Sequence, residues 1–386
     1  MKYVDEYRDG KVAKELARAI AAAAAPDRDY HFMEFCGGHT HAISRYGLED
    51  LLPANVHLIH GPGCPVCVLP VGRIDDAIRL ARNPKVTLAT YADLMRVPAS
   101  GGMSLTKAKA AGADIRMVYS TQDALAIARA EPEREVVFFA IGFETTTPPT
   151  AFALAAAEAE NLQNFSVFCN HVLTPVAMRA ILDGTVPGEA PPVLEGFIGP
   201  AHVSTVIGLE PYRVFAERDR KPVVVAGFEP LDVMQAILML IGQVNGQRAE
   251  VENQYIRAVR PEGNLAAQAL VDKYLELRDS FEWRGLGAVP RSALKIRPDY
   301  ARFDAEVRFA MATIPAADNP ACECGAILRG VKKPAECRLF GTACTPETPM
   351  GSCMVSSEGA CAAHWTYGRF RDAARPAGTP DTRKAS

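Results

Sequence analysis

Six consecutive apolar residues, Val136-Val137-Phe138-Phe139-Ala140-Ile141, limit this chain more than any other stretch. A run that is apolar on both faces must be covered on both faces, which is the habit of a strand inside a parallel sheet. Strand-like runs recur at 30–35, 56–60, 86–90, 115–119, 165–169, 193–198 and 223–226. Helix signals stand between them. An alanine-rich stretch at 11–25 stops before Pro26, and 73–82 ends at Asn83-Pro84. Ser104 and then Ser120 or Thr121 are placed to cap helices. Thr147 is placed as an N-cap with Pro148 at the first helical position, and Thr174-Pro175 opens another helix. This alternation predicts an α/β fold of parallel sheets covered by helices.

Beyond the strands, 247–259 and 262–278 read as two long amphipathic helices and 283–290 as a glycine-containing linker. After Ile314-Pro315 the composition turns to cysteine, glycine and proline, with too little apolar periodicity to fold without a cross-link or a metal. The expected division is an α/β unit at 1–130, a second at 131–290, a small loop-rich unit at 291–370 and a disordered polar tail at 371–386. Two Gly-Phe-Glu turns, at 142–144 and 227–229, hint at repeated construction.

The 386 residues carry a formal charge of −3, which gives no reason to expect nucleic-acid binding. No apolar run approaches the ~18 residues of a membrane span, and the start is too acidic for a signal peptide. A cytoplasmic location is expected. Ten cysteines are many for such a setting, where thiols serve metal binding or redox chemistry more often than scaffolding.

Three of those thiols lie early, in Cys36-Gly37-Gly38-His39-Thr40-His41 and Gly61-Pro62-Gly63-Cys64-Pro65-Val66-Cys67. Both motifs follow strand ends, the edge where open α/β sheets bind ligands. The spacing of Cys64 and Cys67 reads as a redox dithiol, or as half of a zinc knuckle with no second half nearby. Gly37 and Gly38 open space beside Cys36, and His39 and His41 flank it. Glu144, with Thr145 and Thr146, also sits at a strand end, where it is either a site residue or a helix N-terminal carboxylate. Cys169 is left aside as a buried thiol. His171 and His202 are weaker candidates.

Six more thiols crowd the C-terminal region. Cys337, Cys344, Cys353 and Cys361 are spaced widely enough for four loops to converge on a [4Fe–4S] cubane, with zinc or free cysteines as the other readings. Cys322 and Cys324, one residue apart, stay outside that ligand set.

Together these motifs resemble the hydrogenase maturation protein HypD family. The likeness rests on the two thiol motifs, on Gly142-Phe143-Glu144-Thr145-Thr146-Thr147-Pro148, and on the tail from Cys337 through Leu339-Phe340-Gly341, Cys344 and Gly351-Ser352-Cys353-Met354-Val355-Ser356 to Glu358-Gly359-Ala360-Cys361. The resemblance implies two α/β domains plus a smaller cluster-bearing domain. It implies a scaffold on which the Fe(CN)2CO group of [NiFe]-hydrogenase is built. Partners would be a HypC-like small chaperone and a HypE-like donor that carries cyanide as a thiocyanate. Cys36 then takes the iron-holding position, Cys64 and Cys67 the redox dithiol, and the last four cysteines the [4Fe–4S] cluster. A soft thiolate suits low-spin iron(II), and cyanide release from a thiocyanate needs two electrons. An iron–sulfur thiol-disulfide reductase is the rival reading, but it leaves Cys36, His39 and His41 without a task. A zinc-stabilised binding module is the third.

Overall fold

The computed structural model describes residues 4–184, 190–312, 314 and 316–369. Nine strands form two sheets: β1 (Tyr30–Glu34), β2 (Val56–His60), β3 (Val86–Thr90), β4 (Ile115–Met117), β5 (Glu135–Gly142), β6 (Phe165–His171), β7 (Gly196–Pro200), β8 (Val223–Ala226) and β9 (Val251–Asn253). The first sheet runs β2-β1-β7-β8-β9 and the second β4-β3-β5-β6. Every pairing in both is parallel. The chain is therefore α/β, as the alternation predicts. The sheets do not follow one another in sequence, however. The chain lays down β1 and β2, builds the whole second sheet, and returns to complete the first. A boundary at 130/131 consequently falls inside the second sheet.

In each sheet the founding strand is flanked by its successor on one side and by a later strand on the other. That reversal of order opens a crevice at the strand C-termini. It lies between β1 and β7 in the first sheet and between β3 and β5 in the second. The shared order gives the idea of repeated construction some form. The two Gly-Phe-Glu turns nevertheless follow β5 and β8, which hold different places in their sheets, so they are not equivalent.

The apolar run of β5 is covered on both faces, each by a different core. Val137, Phe139 and Ile141 enter a large core that also contains Phe35, Phe197 and Tyr212 from the first half. Val136, Phe138 and Ala140 face a second core with Leu125 and Leu154 of the helices Thr121–Ala130 and Thr147–Ala159. Phe139 stacks on Phe168 at 5.2 Å between ring centroids. Truncating such a ring to alanine costs about 3–5 kcal/mol. The large core also takes in Cys324, Cys344, Cys353 and Cys361, so the C-terminal segment packs onto the same body.

Three local expectations fail. Residues 247–259 and 262–278 are not two long helices: Val251–Asn253 becomes the edge strand β9, and only Leu265–Tyr274 is helical. Gln247 takes a positive φ of 52° after the preceding helix, and Pro261 and Gly263 break the chain again, so pairing with β8 overrides helical periodicity. The supposed linker is a hairpin. After β10 (Leu275–Leu277), β11 (Ser280–Trp283) pairs antiparallel with β12 (Gly287–Pro290), turning through Gly285 at φ 82°. Finally, Thr146 rather than Thr147 is the N-cap of its helix. β5 runs on into Gly142, and the Thr147 hydroxyl donates to the Phe143 carbonyl at 3.0 Å.

From Pro298 to Gly368 the described chain is short turns and single helical turns, the loop-rich segment expected there. The expected disordered tail at 371–386 lies outside the described residues. No helix among the described residues is long and apolar enough to cross a membrane.

Candidate functional site

Strand β1 delivers Cys36 to the crevice between β1 and β7. Two residues past the strand, Cys36 takes the extended conformation of an N-cap, and its carbonyl accepts the N–H groups of His39 and Thr40 at 2.9 and 3.1 Å. Helix α1 (Gly10–Ala23) precedes the strand, and α2 (Gly37–Tyr46) follows the cap. The thiol takes no part in the capping. Glycine at 37 and 38 is required by crowding. A Cβ at Gly37 would overlap Glu358, and one at Gly38 would overlap the ring of Phe228.

The second motif is laid against the first. Gly61 N–H donates to the Glu34 carbonyl at 2.9 Å, and Gly37 N–H to the Gly63 carbonyl at 3.2 Å. A side chain at Gly63 would overlap the Cys36 backbone nitrogen. Cys64 then caps the single turn α3 (Pro65–Val68), with Pro65 at its start. Cys64 and Cys67 are joined in a disulfide, their Cα atoms 5.2 Å apart. Both are buried.

Carboxylates, not imidazoles, set the charge around Cys36. Burial, then the nearby carboxylates of Glu358 and Glu34, push its thiol well above the ordinary range, against the pull of the Gly38 and His39 N–H groups. The resting thiol is therefore protonated. The expected imidazole flank looks elsewhere. His39 is fully buried and donates Nε2–H to the carbonyls of Ala226 and Gly227, both at 3.0 Å, and burial holds its pKa down. His41 reaches the Ser357 carbonyl at 3.4 Å and meets Tyr367 edge-on. The His202 ring, just past β7, lies tilted against Phe228 with centroids 4.0 Å apart, and Phe228 in turn lies 4.8 Å from His39.

Glu144 is buried beyond β5 and accepts both the N–H and the hydroxyl of Thr174 at 2.9 Å. It therefore caps the helix Thr174–Asp183, a neighbouring helix rather than its own. Burial pushes its pKa up to about 7. Tyr212 is buried within electrostatic reach of both this carboxyl and Cys36: burial, Glu144 and Cys36 all raise its pKa, and its hydroxyl meets Ser204 at 3.1 Å. Cys169 is buried with its thiol on the Leu294 carbonyl, and burial pushes it up to about 11, an inert group. His171 is buried against Thr150 and held down to about 4.

The C-terminal thiols converge. Cys322, Cys324, Cys337, Cys344 and Cys361 line one small cavity with Ile327, Leu339, Phe340 and Met354. Cys353 is wholly buried and acts electrostatically on Cys361. Cys322 and Cys324, which spacing alone sets apart, are thus in the same thiol cluster. Gly351 makes room for both, since a Cβ there would press on their sulfurs. A sulfur-rich cavity with apolar walls suits a soft metal centre. It is tied to the early dithiol: the Ser352 hydroxyl donates to the Cys67 carbonyl at 3.0 Å.

Sequence reasoning missed Glu34, His60, Tyr212 and Glu358. Glu34 had one signal, a charged residue ending a buried apolar strand.

Fold and site together define an α/β thiol protein with a cysteine at a sheet switch point, a disulfide beside it and a C-terminal cluster of thiols. The family model HypD, described as the Hydrogenase formation hypA family, matches residues 11–368. The Hydrogenase maturation factor HypD of Rhizobium leguminosarum bv. viciae is 73% identical over 376 residues, 97% of this chain and 98% of that protein. The factor of the same name from Cupriavidus necator is 64% identical over 379 residues, 96% and 98% of the two chains. That of Escherichia coli K12 is 48% identical over 373 residues, 95% and 98%. The chain belongs to the HypD family, and its role is in hydrogenase maturation.

Proposed function

We propose that the chain is a cytoplasmic scaffold on which the Fe(CN)2CO group of [NiFe]-hydrogenase is assembled, with a HypC-like chaperone and a HypE-like cyanide donor as partners. The observation that carries this reading is Cys36. It is a protonated thiol beside two carboxylates, Glu34 and Glu358, and the disulfide loop is hydrogen-bonded to the backbone of Glu34 and Gly37 around it. Such surroundings make a poor nucleophile, because negative neighbours oppose the thiolate. They suit a divalent cation, which displaces the thiol proton and is attracted by the carboxylates. Iron(II), the cargo, meets that description. His39 and His41 shape the wall of this crevice, and Glu144 is within electrostatic reach of Tyr212.

The dithiol matches the electron demand. Breaking the S–C bond of a partner's thiocyanate to give thiolate and cyanide takes two electrons. Closing Cys64 and Cys67 to the disulfide releases two electrons and two protons. We assign Cys337, Cys344, Cys353 and Cys361 to a [4Fe–4S] cluster, with Cys322 and Cys324 completing its thiol surroundings. When bound, that cluster would supply electrons one at a time, and reopening the disulfide takes two of them with two protons. Ser352 holds the dithiol turn against this segment.

A free-standing thiol-disulfide reductase would use the dithiol and the thiol cluster, but it gives no task to Cys36 and the carboxylates around it. Infrared spectra of protein co-expressed with its partners test the scaffold reading. Cyanide and carbonyl bands are expected in the parent and absent in Cys36→Ala. Bands of full intensity in that variant would place the iron elsewhere.

A further inference from the structure

Glu34 is the last residue of β1, fully buried, and it spends its carboxylate on both thiol motifs at once. Oε2 accepts the Cys36 N–H at 2.8 Å. Oε1 accepts the Thr40 hydroxyl in a short bond and the His60 Nδ1–H at 2.8 Å. His60 faces Glu34 in the parallel register of β1 and β2 and leads directly into Gly61-Pro62-Gly63-Cys64. We propose that Glu34 is a positioning residue that makes the reactivity of the Cys36 thiol depend on whether Cys64 and Cys67 are joined.

The path is short and stiff. With the disulfide closed, the two Cα atoms are tied at 5.2 Å and Cys64 is fixed at the head of α3. Opening the pair removes that tie and frees the backbone at Cys64. Pro62 holds its own φ, so movement at Cys64 passes back through Gly63. Gly63 cannot move alone, since its carbonyl holds the Gly37 N–H and its Cα lies against the Cys36 nitrogen. At the other end of the loop His60 is held by Glu34, and Glu34 also holds the Cys36 N–H. The carboxylate thus anchors the loop and the thiol's own backbone to one point, and a shift of one is a shift of the other.

The inference concerns the chain's own thiols and needs no iron; it rests on the dithiol reading only in that the pair has an open state. The test uses the full chain and iodoacetamide. Alkylation at Cys36 is followed by peptide mass spectrometry in three forms: oxidised, reduced, and Cys64→Ser/Cys67→Ser. Reduction by dithiothreitol breaks the S–S bond, adds two electrons and two protons to the pair, and closes the reagent into its cyclic disulfide. The oxidised form and the double-serine form are expected to differ at Cys36 by about threefold to tenfold, the worth of one hydrogen bond. In Glu34→Gln, and separately in His60→Phe, that ratio should fall to one while circular dichroism stays unchanged. His60→Phe keeps the Glu34 bonds to Cys36 and Thr40, so it serves where Glu34→Gln does not fold. A merely structural Glu34 would shift both rates together and leave the ratio intact, which overturns the proposal. So does an oxidised form that reacts at the same rate as the double-serine form. A ratio present with serines but absent on thiol reduction supports the coupling and counts against the dithiol reading instead.

Discussion

The hydroxyl of Ser352 donates to the carbonyl of Cys67 across 285 positions of sequence, at 3.0 Å and away from water. It is a direct hydrogen bond between the dithiol turn and the thiol-rich C-terminal segment, and Cys353 follows Ser352 immediately.

Ser352→Ala leaves the Cys67 carbonyl without that donor in a dry place. A loss of about 1–3 kcal/mol in urea unfolding is expected. Unchanged stability would mean that water or another group replaces the hydroxyl.

Glu144 gives a pH signature. Its folded pKa, about 7, lies above the ordinary 4.5. The folded state therefore binds more protons than the unfolded state between those values, and stability falls as pH rises through that window. Glu144→Gln removes the slope. The variant should lose more stability at pH 5 than at pH 8, with a difference on the order of 3 kcal/mol. Parallel pH curves for the two proteins would show that Glu144 is ionised when folded.

Glu358 is expected to restrain the Cys36 thiol. In Glu358→Gln the thiol pKa should drop, because one of the carboxylates opposing the thiolate is gone. Iodoacetamide should then label Cys36 faster at pH 8, and its rate-against-pH curve should move to lower pH. A curve that stays in place would assign the high pKa to burial and Glu34.

Alanine substitutions across the six C-terminal cysteines should divide into two groups. Iron and acid-labile sulfide are expected to be lost from Cys337→Ala, Cys344→Ala, Cys353→Ala and Cys361→Ala. They should be kept in Cys322→Ala and Cys324→Ala. Full iron in Cys353→Ala together with loss in Cys324→Ala would exchange those two positions in the ligand set.

Much of the fold was legible. The strands Val56–His60, Val86–Thr90 and Val223–Ala226 lie where the sequence places them; the last two are buried at every position, and a parallel strand covered on both faces writes itself as a nearly continuous apolar run. The stretch after Gly246 was not, because edge strands and small hairpins carry half-polar patterns that also suit a helix. Val251-Glu252-Asn253 is a strand only because β8 lies beside it. The order of the sheets was illegible as well, since no local pattern tells β7 to pair with β1.

The site divides similarly. Cys36, Cys64 and Cys67 announce themselves by residue type and spacing. Tyr212 and Glu358 become meaningful only once folding brings them, from more than 100 residues along the chain, to Cys36, and Glu34 only once β2 sets His60 beside it. The spacing rule that set Cys322 and Cys324 apart considered sequence distance, whereas Gly351 lets their sulfurs share a cavity with Cys344 and Cys361.

The divided first sheet has a consequence for the newborn chain. β1 and β2 leave the ribosome early, but β7, the other neighbour of β1, comes at 196–200, and Ser352 and Glu358 come near the end. At roughly 10 residues per second, Cys36, Cys64 and Cys67 spend on the order of tens of seconds outside before the surfaces that bury them exist. The second sheet, encoded in one block, can close during that interval. Each molecule therefore passes through a period in which the sulfurs of Cys36, Cys64 and Cys67 are open to any metal ion or oxidant in the surrounding solution.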